Sequence, residues 1–373
     1  MESPGKQRMR RSTAHGRGGA ALLAAGVAVI SLLFAVSAQA DRGLFVPPHG
    51  KLYHGVSDTG QVKDFRQFQR RVRAHPALLQ EFWHWDVSYS ASGGPHRWHR
   101  AKALGVVSQS TGFPARGGDE IAPETIARGR ADHYLLRINQ VLGHLSRPTY
   151  IRLFPEMNGH WNPYCVYNAN GTTRGSDHTH SDFKRSWRRF VIIVRGGRRS
   201  RINKALRRND LPRIYRAKSN HDPVYERREV PRVLEHPKVA FMWVPQTFGG
   251  PNIPGNQPAD YWPGRHFVDW VGADIFSKFQ TAFDDLVAFQ RRYHKYPFVV
   301  GEYSPWDGDP GGAFTNRLLN WAEGHRRVRA MIYYRSTTAG NIFDINHYAA
   351  ARRVLRHHLN RSRWRSYAPG TRR

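Results

Sequence analysis

The 373-residue chain is long enough to form one large domain with a buried core, and 40% of its residues are hydrophobic. Cys165 is the only cysteine, which excludes an intrachain disulfide and leaves stability to the core. The formal charge of +30 would attract anionic polymers, although arginines scattered over every segment also fit a compositional bias.

The first 40 residues have the pattern of a secretory signal. A basic start that includes Arg10 and Arg11 precedes an apolar stretch from Ala20 to Ala38, and Ala38-Gln39-Ala40 has the small-x-small form of a cleavage site. We therefore predict that residues 1–40 are removed and that the mature protein is secreted. Because the apolar stretch is long enough to span a bilayer, an uncleaved membrane anchor is the alternative, and it is the only membrane association we predict.

The first predicted strands carry candidate sugar contacts. Leu52 to Val56 and Leu78 to Val87 are predicted strands with an amphipathic helix between them. The second strand ends in an aromatic cluster, and the face of an indole is a typical surface for stacking a sugar ring. We predict that Trp85 and Asp86 contact substrate from this strand and that His54 does so from the first.

A strand followed by an acidic loop lies near the middle of the chain. Thr149 to Phe154 is a short apolar run interrupted by Arg152, and Glu156 falls just past its end. Asn158 and Trp161 follow, so that a carboxylate, an amide and aromatic surface would lie together, as in a carbohydrate site. An ordinary loop carboxylate and a core tryptophan are the structural alternative.

A second strand ends in the same way. Tyr296 to Tyr303 is an apolar run that carries Glu302 near its end, and aromatic residues, including Trp306, follow. Two strands that each bring a glutamate to their carboxyl end supply what a glycosidase needs, namely an acid for the leaving oxygen and a nucleophile or base.

The alternation of strands and helices continues over the whole length. Further predicted strands are Leu104 to Gln109, Val239 to Val244, Val271 to Phe276 and Arg329 to Tyr334, and Ile126 to Leu145 is a predicted helix. This is the pattern of a single-domain (β/α)8 TIM barrel, here predicted for residues 41–360, in which reactive residues gather at the carboxyl ends of the strands. Trp243, at the end of the fifth strand, is a further predicted substrate contact. Residues 361–373 are predicted to be a basic disordered tail.

Two segments are assigned no special chemistry. Asp177-His178-Thr179-His180 has no partner set for a metal, and we predict neither a metal nor another cofactor. Arg195 to Arg216 is rich in arginine and is interpreted as the solvated end of a helix with a surface insertion; a basic arm for an anionic cell-wall polymer is the alternative. Because only Tyr215 interrupts its charges with an aromatic ring, no specific nucleic-acid partner is predicted.

Four collinear motifs resemble glycoside hydrolase family 26, the endo-β-mannanases and their relatives. Arg152 to Trp161 is similar to the family's Arg-x-x-x-Glu-Met-Asn-Gly-x-Trp acid/base motif, and Val300 to Ser304 resembles its nucleophile strand. Val239 to Gln246 and Tyr261 to Phe276 resemble its fifth and sixth strands. The resemblance covers most of residues 50 to 360.

The resemblance implies a secreted, retaining endo-hydrolase of a β-linked polysaccharide, most often mannan, with Glu156 as acid/base and Glu302 as nucleophile. Retention requires the two carboxyl groups to be only about 5 to 5.5 Å apart. We also expect Trp161 and at least one of Trp83 and Trp85 to lie in a groove near Glu156. The predicted substrate contacts are His54, Trp85, Asp86, Asn158, Trp161, Trp243, Phe276, Tyr303 and Trp306.

Two positions depart from the family pattern. Pro155 stands where the family usually has a histidine before the acid/base glutamate. Phe276 stands where it commonly has a tyrosine that hydrogen-bonds the nucleophile. These departures motivate an alternative function, a non-catalytic polysaccharide-binding or cell-wall protein with the same barrel.

Overall fold

A computed structural model of the chain describes residues 44–57, 62–83, 85, 94–109, 121–214, 230–335 and 342–372. Its centre is a closed barrel of eight parallel strands, in which the last strand pairs with the first. The strands are β1 Leu52–Ser57, β2 Leu78–Trp83, β3 Leu104–Gln109, β4 Thr149–Leu153, β5 Val239–Trp243, β6 Trp270–Phe276, β7 Phe298–Ser304 and β8 Val328–Tyr333. The predicted (β/α)8 barrel is confirmed.

Helices flank the barrel strands. In the described residues they are α1 Val62–Val72, α2 Gly94–Ala101, α3 Pro123–Ala127, α4 Asp132–Gly143, α5 His180–Arg195, α6 Arg199–Arg207, α7 Phe283–Arg292, α8 Ala313–Gly324 and α9 Ala349–Leu359. Short 3-10 helices lie at Pro258–Tyr261, Arg265–Phe267, Ser277–Ala282, Pro310–Gly312 and Ile345–His347. None of the helices within the described ranges is long and apolar enough to cross a membrane.

Sequence patterns account for the helices that were predicted. In α1 the buried residues are Val62, Phe65, Phe68 and Val72, a spacing that places them on one helical face toward the barrel. Helix α5 begins at His180 because the Thr179 side chain accepts the backbone N–H of Asp182 at 3.1 Å and so caps the first turn.

Side chains of the barrel strands alternate between the interior and the layer under the helices. The interior cluster includes Tyr53, Leu78, Val106, Tyr150, Met242, Trp270, Val299 and Ile332. The amino-terminal end of the barrel is closed by the segment before β1, where the Trp270 indole donates to the Leu44 carbonyl at 2.7 Å and the Tyr150 hydroxyl donates to the Phe45 carbonyl. The opposite end, at the carboxyl ends of the strands, carries the polar residues described below.

The carboxyl-terminal segment is folded, so the predicted disordered tail is wrong over the described residues up to 372. Trp364–Arg365 pairs in parallel with the start of β1. Trp364 is buried and its indole donates to Glu323 at 2.7 Å, while Ala368 packs with the interior cluster. The prediction of disorder depended on the basic composition of these residues. Burial of the Trp364 side chain stabilises the folded segment in spite of that composition.

Two predicted boundaries also change. Strand β2 is described from Leu78 to Trp83, and Trp85 lies in a bend rather than in the strand predicted to continue to Val87. The helix predicted from Ile126 to Leu145 divides into α3 and α4, because Gly129 between them has φ +83°, outside the helical region. Residues 1–40 and the end of the arginine-rich segment lie outside the described residues, and the predictions made for them stay predictions.

Candidate active site

Glu156 and Glu302 both lie at the carboxyl ends of barrel strands. Glu156 follows β4, and its backbone N–H donates to the Val244 carbonyl just past β5 at 2.9 Å. Its φ of +51° lies in the left-handed region, which costs a non-glycine residue energy and is common at functional sites. Glu302 is part of β7 and is 7% exposed.

A β-bulge turns Glu302 into the barrel. Val300 of β7 pairs with Met331 of β8, and Tyr303 pairs with Tyr333, so β7 contains one extra residue between these pairs. The register of β7 with β6 shifts at the same place. Without the bulge, Glu302 would share the face of Val300, which packs in the outer layer. Bulges next to active sites commonly re-aim a side chain in this way.

A buried arginine connects two carboxylates below the mouth of the barrel. Arg152 is 1% exposed and donates to Glu302 Oε1 and to Asp274 Oδ2. The Gln80 amide also donates to Glu302 Oε1, at 3.2 Å. Gly301 leaves room for this cluster, since a Cβ at that position would lie 2.7 Å from Asp274 Oδ1. Strand alternation, together with the bulge, brings these groups to one layer of the barrel interior.

The cluster perturbs both of its carboxyl groups. Burial raises the pKa of Glu302 to about 7; the charge of Arg152 opposes the rise, and that of Glu156 adds to it. Burial also raises the pKa of Asp274 well above its usual value, with Arg152 opposing, and with the charges of Glu302 and Glu156 and a hydrogen bond with Glu156 adding to the rise. The charges of Glu156 and Glu302 thus both act on Asp274, and the charge of Glu156 also acts on Glu302.

Two N–H donors hold Glu156 at the mouth. The Trp161 indole donates to Oε2 at 2.6 Å, and the Gln246 amide donates to Oε1. Trp161 is 55% exposed, and its ring lies against Gly159, where a Cβ would be 2.4 Å from it. The structure therefore brings together the carboxylate and the exposed aromatic surface that the sequence predicted near it.

Asn158 acts as a brace in this loop. Its amide donates to the carbonyls of Gln246 and Phe248 at 3.1 Å each, and its side-chain oxygen accepts the backbone N–H of Gln246 at 2.9 Å. The side chain is fully buried, so the predicted substrate contact is wrong. Instead, Asn158 holds the backbone from which Gln246 reaches Glu156.

Three other predicted contacts face away from the mouth. His54, Trp243 and Tyr303 are each at most 3% exposed and pack under the helices. His54 and Tyr303 bond to each other at 2.6 Å, and Trp243 packs on Phe289. Each is the chain neighbour of an inward-facing residue, so strand alternation points it outward. The prediction that they contact substrate is wrong in this structure.

The tryptophans at the end of β2 are also buried. Trp85 is 2% exposed and donates to the Tyr164 hydroxyl at 2.5 Å, and Trp83 stacks on Trp98 with ring centroids 5.7 Å apart. Neither lines a groove near Glu156, which corrects that part of the prediction. Asp86 lies outside the described residues.

A second aromatic group lies past β6 and β7. Trp306 is half-buried, with its ring 5.6 Å from Phe276 and 5.8 Å from Phe279, which is 49% exposed. Phe276 is 9% exposed and also packs on Tyr334. Phe276 and Trp306 thus stay candidates for sugar contact, and Phe279 joins them.

Sequence reasoning missed the functional arrangement of Arg152, Asp274, Gln80 and Gln246. The first three share one signal, a charged or amide side chain in an otherwise apolar barrel strand, because such a group needs a buried polar partner. Arg152 is the first residue of the Arg-x-x-x-Glu motif, but the sequence assigns it no partner. Gln246 follows a strand in a loop and carries no comparable signal.

Comparisons with known proteins agree with this architecture. No protein-family model matches the chain. A curated β-1,3-xylanase from Alcaligenes sp. is 24% identical over 277 residues, which are 73% of this chain and 47% of that protein. The chain therefore spans about half the length of this relative.

Solved structures of mannanases have the same fold at low identity. A family 26 β-mannanase from Bacteroides ovatus gives a TM-score of 0.53 at 15% identity, covering 88% of this chain and 92% of that one. A modular endo-β-1,4-mannanase from Cellulomonas fimi gives 0.55 at 14% identity, with coverages of 85% and 72%. A Bacillus subtilis mannanase gives 0.52 at 14% identity, with coverages of 86% and 88%. The resemblance to glycoside hydrolase family 26 noted in the sequence is therefore confirmed in the fold.

Proposed function

We propose that the chain is a retaining endo-glycoside hydrolase of the family 26 type that cleaves a β-linked polysaccharide. The observation that carries the proposal is the pair Glu156 and Glu302 at one barrel mouth, where the charge of Glu156 acts on the pKa of the buried Glu302. Exposed Trp161, bonded to Glu156, supplies sugar-stacking surface next to the pair.

In the proposed reaction Glu302 is the nucleophile. Both of its described hydrogen-bond donors, Arg152 and Gln80, bind Oε1, which leaves Oε2 to attack the anomeric carbon. Arg152 also favours the ionised form, since its charge opposes the pKa rise that burial causes. The bond to the leaving oxygen breaks as the glycosyl-enzyme forms.

Glu156 is the acid/base of this reaction. It gives a proton to the leaving oxygen in the first step and takes one from the attacking water in the second. Gln246 and Trp161 fix the direction of its carboxyl group through their N–H donors. Carboxyl groups about 5 to 5.5 Å apart, the separation that direct attack requires, are part of this proposal.

The two departures from the family pattern are compatible with activity. Arg152 and Gln80 already donate to Glu302, so the nucleophile is oriented without the hydroxyl that Phe276 lacks. Pro155 still has a structural role, since its carbonyl accepts the Asn162 amide and so helps to fix the loop after β4. Both glutamates remain in place, which favours the enzyme over the non-catalytic alternative.

We propose mannan as the first substrate to test and β-1,3-xylan as the second. Mannan follows from the family resemblance and from the mannanases with the same fold. β-1,3-xylan follows from the name of the curated relative, which is 24% identical over its matched part. Secretion through the signal-like residues 1–40 completes the proposal.

The experiment is a reducing-sugar assay with β-1,4-mannan, β-1,3-xylan and mixed-linkage glucan. The wild-type chain is expected to release reducing ends from one of the first two, and Glu302→Gln and Glu156→Gln are each expected to lower kcat at least about a thousandfold. The matched control is Glu81→Gln. Like Glu302, Glu81 is buried, at 3% exposed, and is bonded to an arginine, Arg97, but it lies on the outer face of β2. Binding of the polymer without release of reducing ends would favour the non-catalytic alternative.

A further inference from the structure

One side of the barrel carries a concentration of arginines with almost no acidic residues. Residues 349–372 contain seven arginines and no Asp or Glu, and residues 62–75 contain five Lys or Arg and a single acid, Asp64. In the whole chain the ratio is only 58 basic to 28 acidic residues. We call this surface the basic face. It is formed by Arg70, Arg71, Arg73, Arg352, Arg353 and Arg356 on and after the end of α1 and along α9.

The arginines of the basic face crowd one another. The Arg356 guanidinium donates to the Arg71 carbonyl at 2.7 Å, which joins α9 to the end of α1. Loss of hydration lowers the pKa of Arg356, and the charges of Arg73, Arg352 and Arg71 lower it further. Like charges held together in this way repel one another. Binding of an anion reduces this repulsion and therefore lowers the free energy of the face.

No carboxylate in the described part of the chain lies within ion-pair distance of these six arginines. Asp64, at the start of α1, lies 3.9 Å from Arg335 instead. Glu323 of α8 is bonded to His358 at 2.8 Å and to Arg361 at 2.6 Å. The nearby acids are therefore already paired elsewhere, and the charge of the face is open to a partner.

An open depression of about 470 Å³ lies beside the arginines at the amino-terminal end of the barrel. Arg70, Arg73, His75 and Tyr367 are among the residues that line it. The depression is at the opposite end of the barrel from Glu302, because α1 ends where β2 begins. A partner held there would leave the catalytic mouth open.

The chemistry of the face selects among anionic partners. The ring of Tyr367 is stacked on His75 at 4.0 Å and lies under Arg372, so it is not available to stack a nucleobase. The large hydrophobic residues exposed in the described ranges are Leu44, Trp161, Val233, Phe248 and Phe279, all outside the segments that form this face. The face thus has no apolar anchor for a membrane.

We propose that the basic face binds an anionic polysaccharide, one whose sugars carry carboxylate or phosphate groups, and so holds the protein on a charged matrix while the mouth stays free for substrate. The pairs of adjacent guanidinium groups suit repeated anionic groups along a flexible chain. This binding is independent of catalysis at Glu156 and Glu302.

The test compares two variants of equal net charge. Arg71→Gln/Arg73→Gln/Arg352→Gln removes three charges from the basic face, and Arg201→Gln/Arg207→Gln/Arg208→Gln removes three exposed charges on and just after α6. Binding is measured by retardation or calorimetry on polygalacturonate, on phosphorylated dextran, on neutral dextran and on double-stranded DNA, over a range of salt concentrations. The first two probes separate carboxylate from phosphate as the preferred group.

The first variant is expected to lose affinity for a charged polymer at least about tenfold and to show a weaker salt dependence, since each lost contact reduces the slope. The α6 variant is expected to keep its affinity. Arg71→Lys/Arg73→Lys/Arg352→Lys keeps the charges and is expected to bind, which separates charge from a folding defect. Equal losses in both glutamine variants, failure of the wild type to bind either charged polymer, or tighter binding to DNA than to both would overturn the proposal.

Discussion

Replacing Arg152 tests the charge coupling at the barrel mouth. Arg152→Met keeps a long, flexible side chain of similar length but removes the cation between Glu302 and Asp274, which are both buried. Removing one partner of a buried ion pair costs about 3 to 5 kcal/mol, because it leaves a buried charge without a partner. For a domain of this size, in which 1 kcal/mol corresponds to about 1.5 °C, we expect Tm to fall by roughly 4 to 7 °C at pH 8.

The loss should depend on pH in a definite direction. In the native protein the pKa of Glu302 is raised from 4.5 to about 7, so folding favours the protonated carboxyl. This contribution to stability is present below about pH 4.5 and is lost as the pH rises through 7. Arg152 limits the loss because its charge lowers that pKa. The deficit of Arg152→Met is therefore expected to be smaller at pH 5 than at pH 8.

The assay combines thermal unfolding with the pH dependence of kcat/KM. Arg189→Met is the matched control, since Arg189 is fully buried and pairs with Asp132 through two bonds of 2.6 and 2.5 Å away from the mouth. Both variants are expected to lose stability, but only Arg152→Met should move the acid limb of kcat/KM to higher pH. An equal loss of Tm at pH 5 and pH 8, or an unmoved acid limb, would refute the reasoning.

Three further predictions concern the same site. For the wild-type chain, kcat/KM is expected to fall as the pH drops below about 7, by about tenfold between pH 6 and pH 5, because the proposed nucleophile Glu302 takes up its proton there; an acid limb that stays flat down to pH 5 contradicts that assignment. Trp161→Phe keeps an aromatic ring but removes the N–H that donates to Glu156, and it should lower kcat about fivefold to tenfold with little change in KM. The effect is modest because Trp161 is 55% exposed. Its control is Trp364→Phe, which loses a similar indole bond to Glu323 far from the mouth, and equal losses of kcat would exclude a specific role. Phe276→Tyr supplies the hydroxyl that the family pattern has at this position and should leave kcat nearly unchanged, because Arg152 and Gln80 already donate to Glu302; a rise in kcat toward the roughly 2 kcal/mol of a bond to a charged group would mean that these two donors do not orient the nucleophile fully.

The sequence alone was sufficient to predict the barrel fold and to locate the two glutamates at the ends of their strands. Its apolar runs mark the eight strands because both faces of a parallel barrel strand are buried. Glu156 and Glu302 could be located because each comes at the carboxyl end of such a run. That position is decided by chain order alone and needs no knowledge of side-chain direction.

Side-chain direction was the part that the sequence did not settle. His54, Trp243 and Tyr303 are next to inward-facing residues, and a period of two assigns a face only after one residue of the strand is fixed. In β7 the bulge also breaks the period, so Glu302 faces inward although Val300, two residues earlier, faces outward. A bulge is defined by the pairing of a strand with its neighbours, and the local sequence pattern of one strand does not predict that pairing.

Polar contacts between distant segments were equally beyond a local pattern. Arg152 meets Asp274 across 122 positions of the chain, and Gln246 meets Glu156 across 90. The sequence of each segment contains only one of the two residues that form the contact. The rule that a buried charge needs a partner would have marked Arg152 and Asp274 as candidates, but not as partners of each other.

The most direct test of the proposed activity is the anomeric configuration of the first product, followed by proton NMR while the substrate is being cleaved. Direct attack by Glu302, with Glu156 as acid and then base, predicts that the β-linked substrate gives the β-anomer first, with the α-anomer appearing only by later mutarotation. An α-anomer as the first product would contradict the roles assigned to the two glutamates.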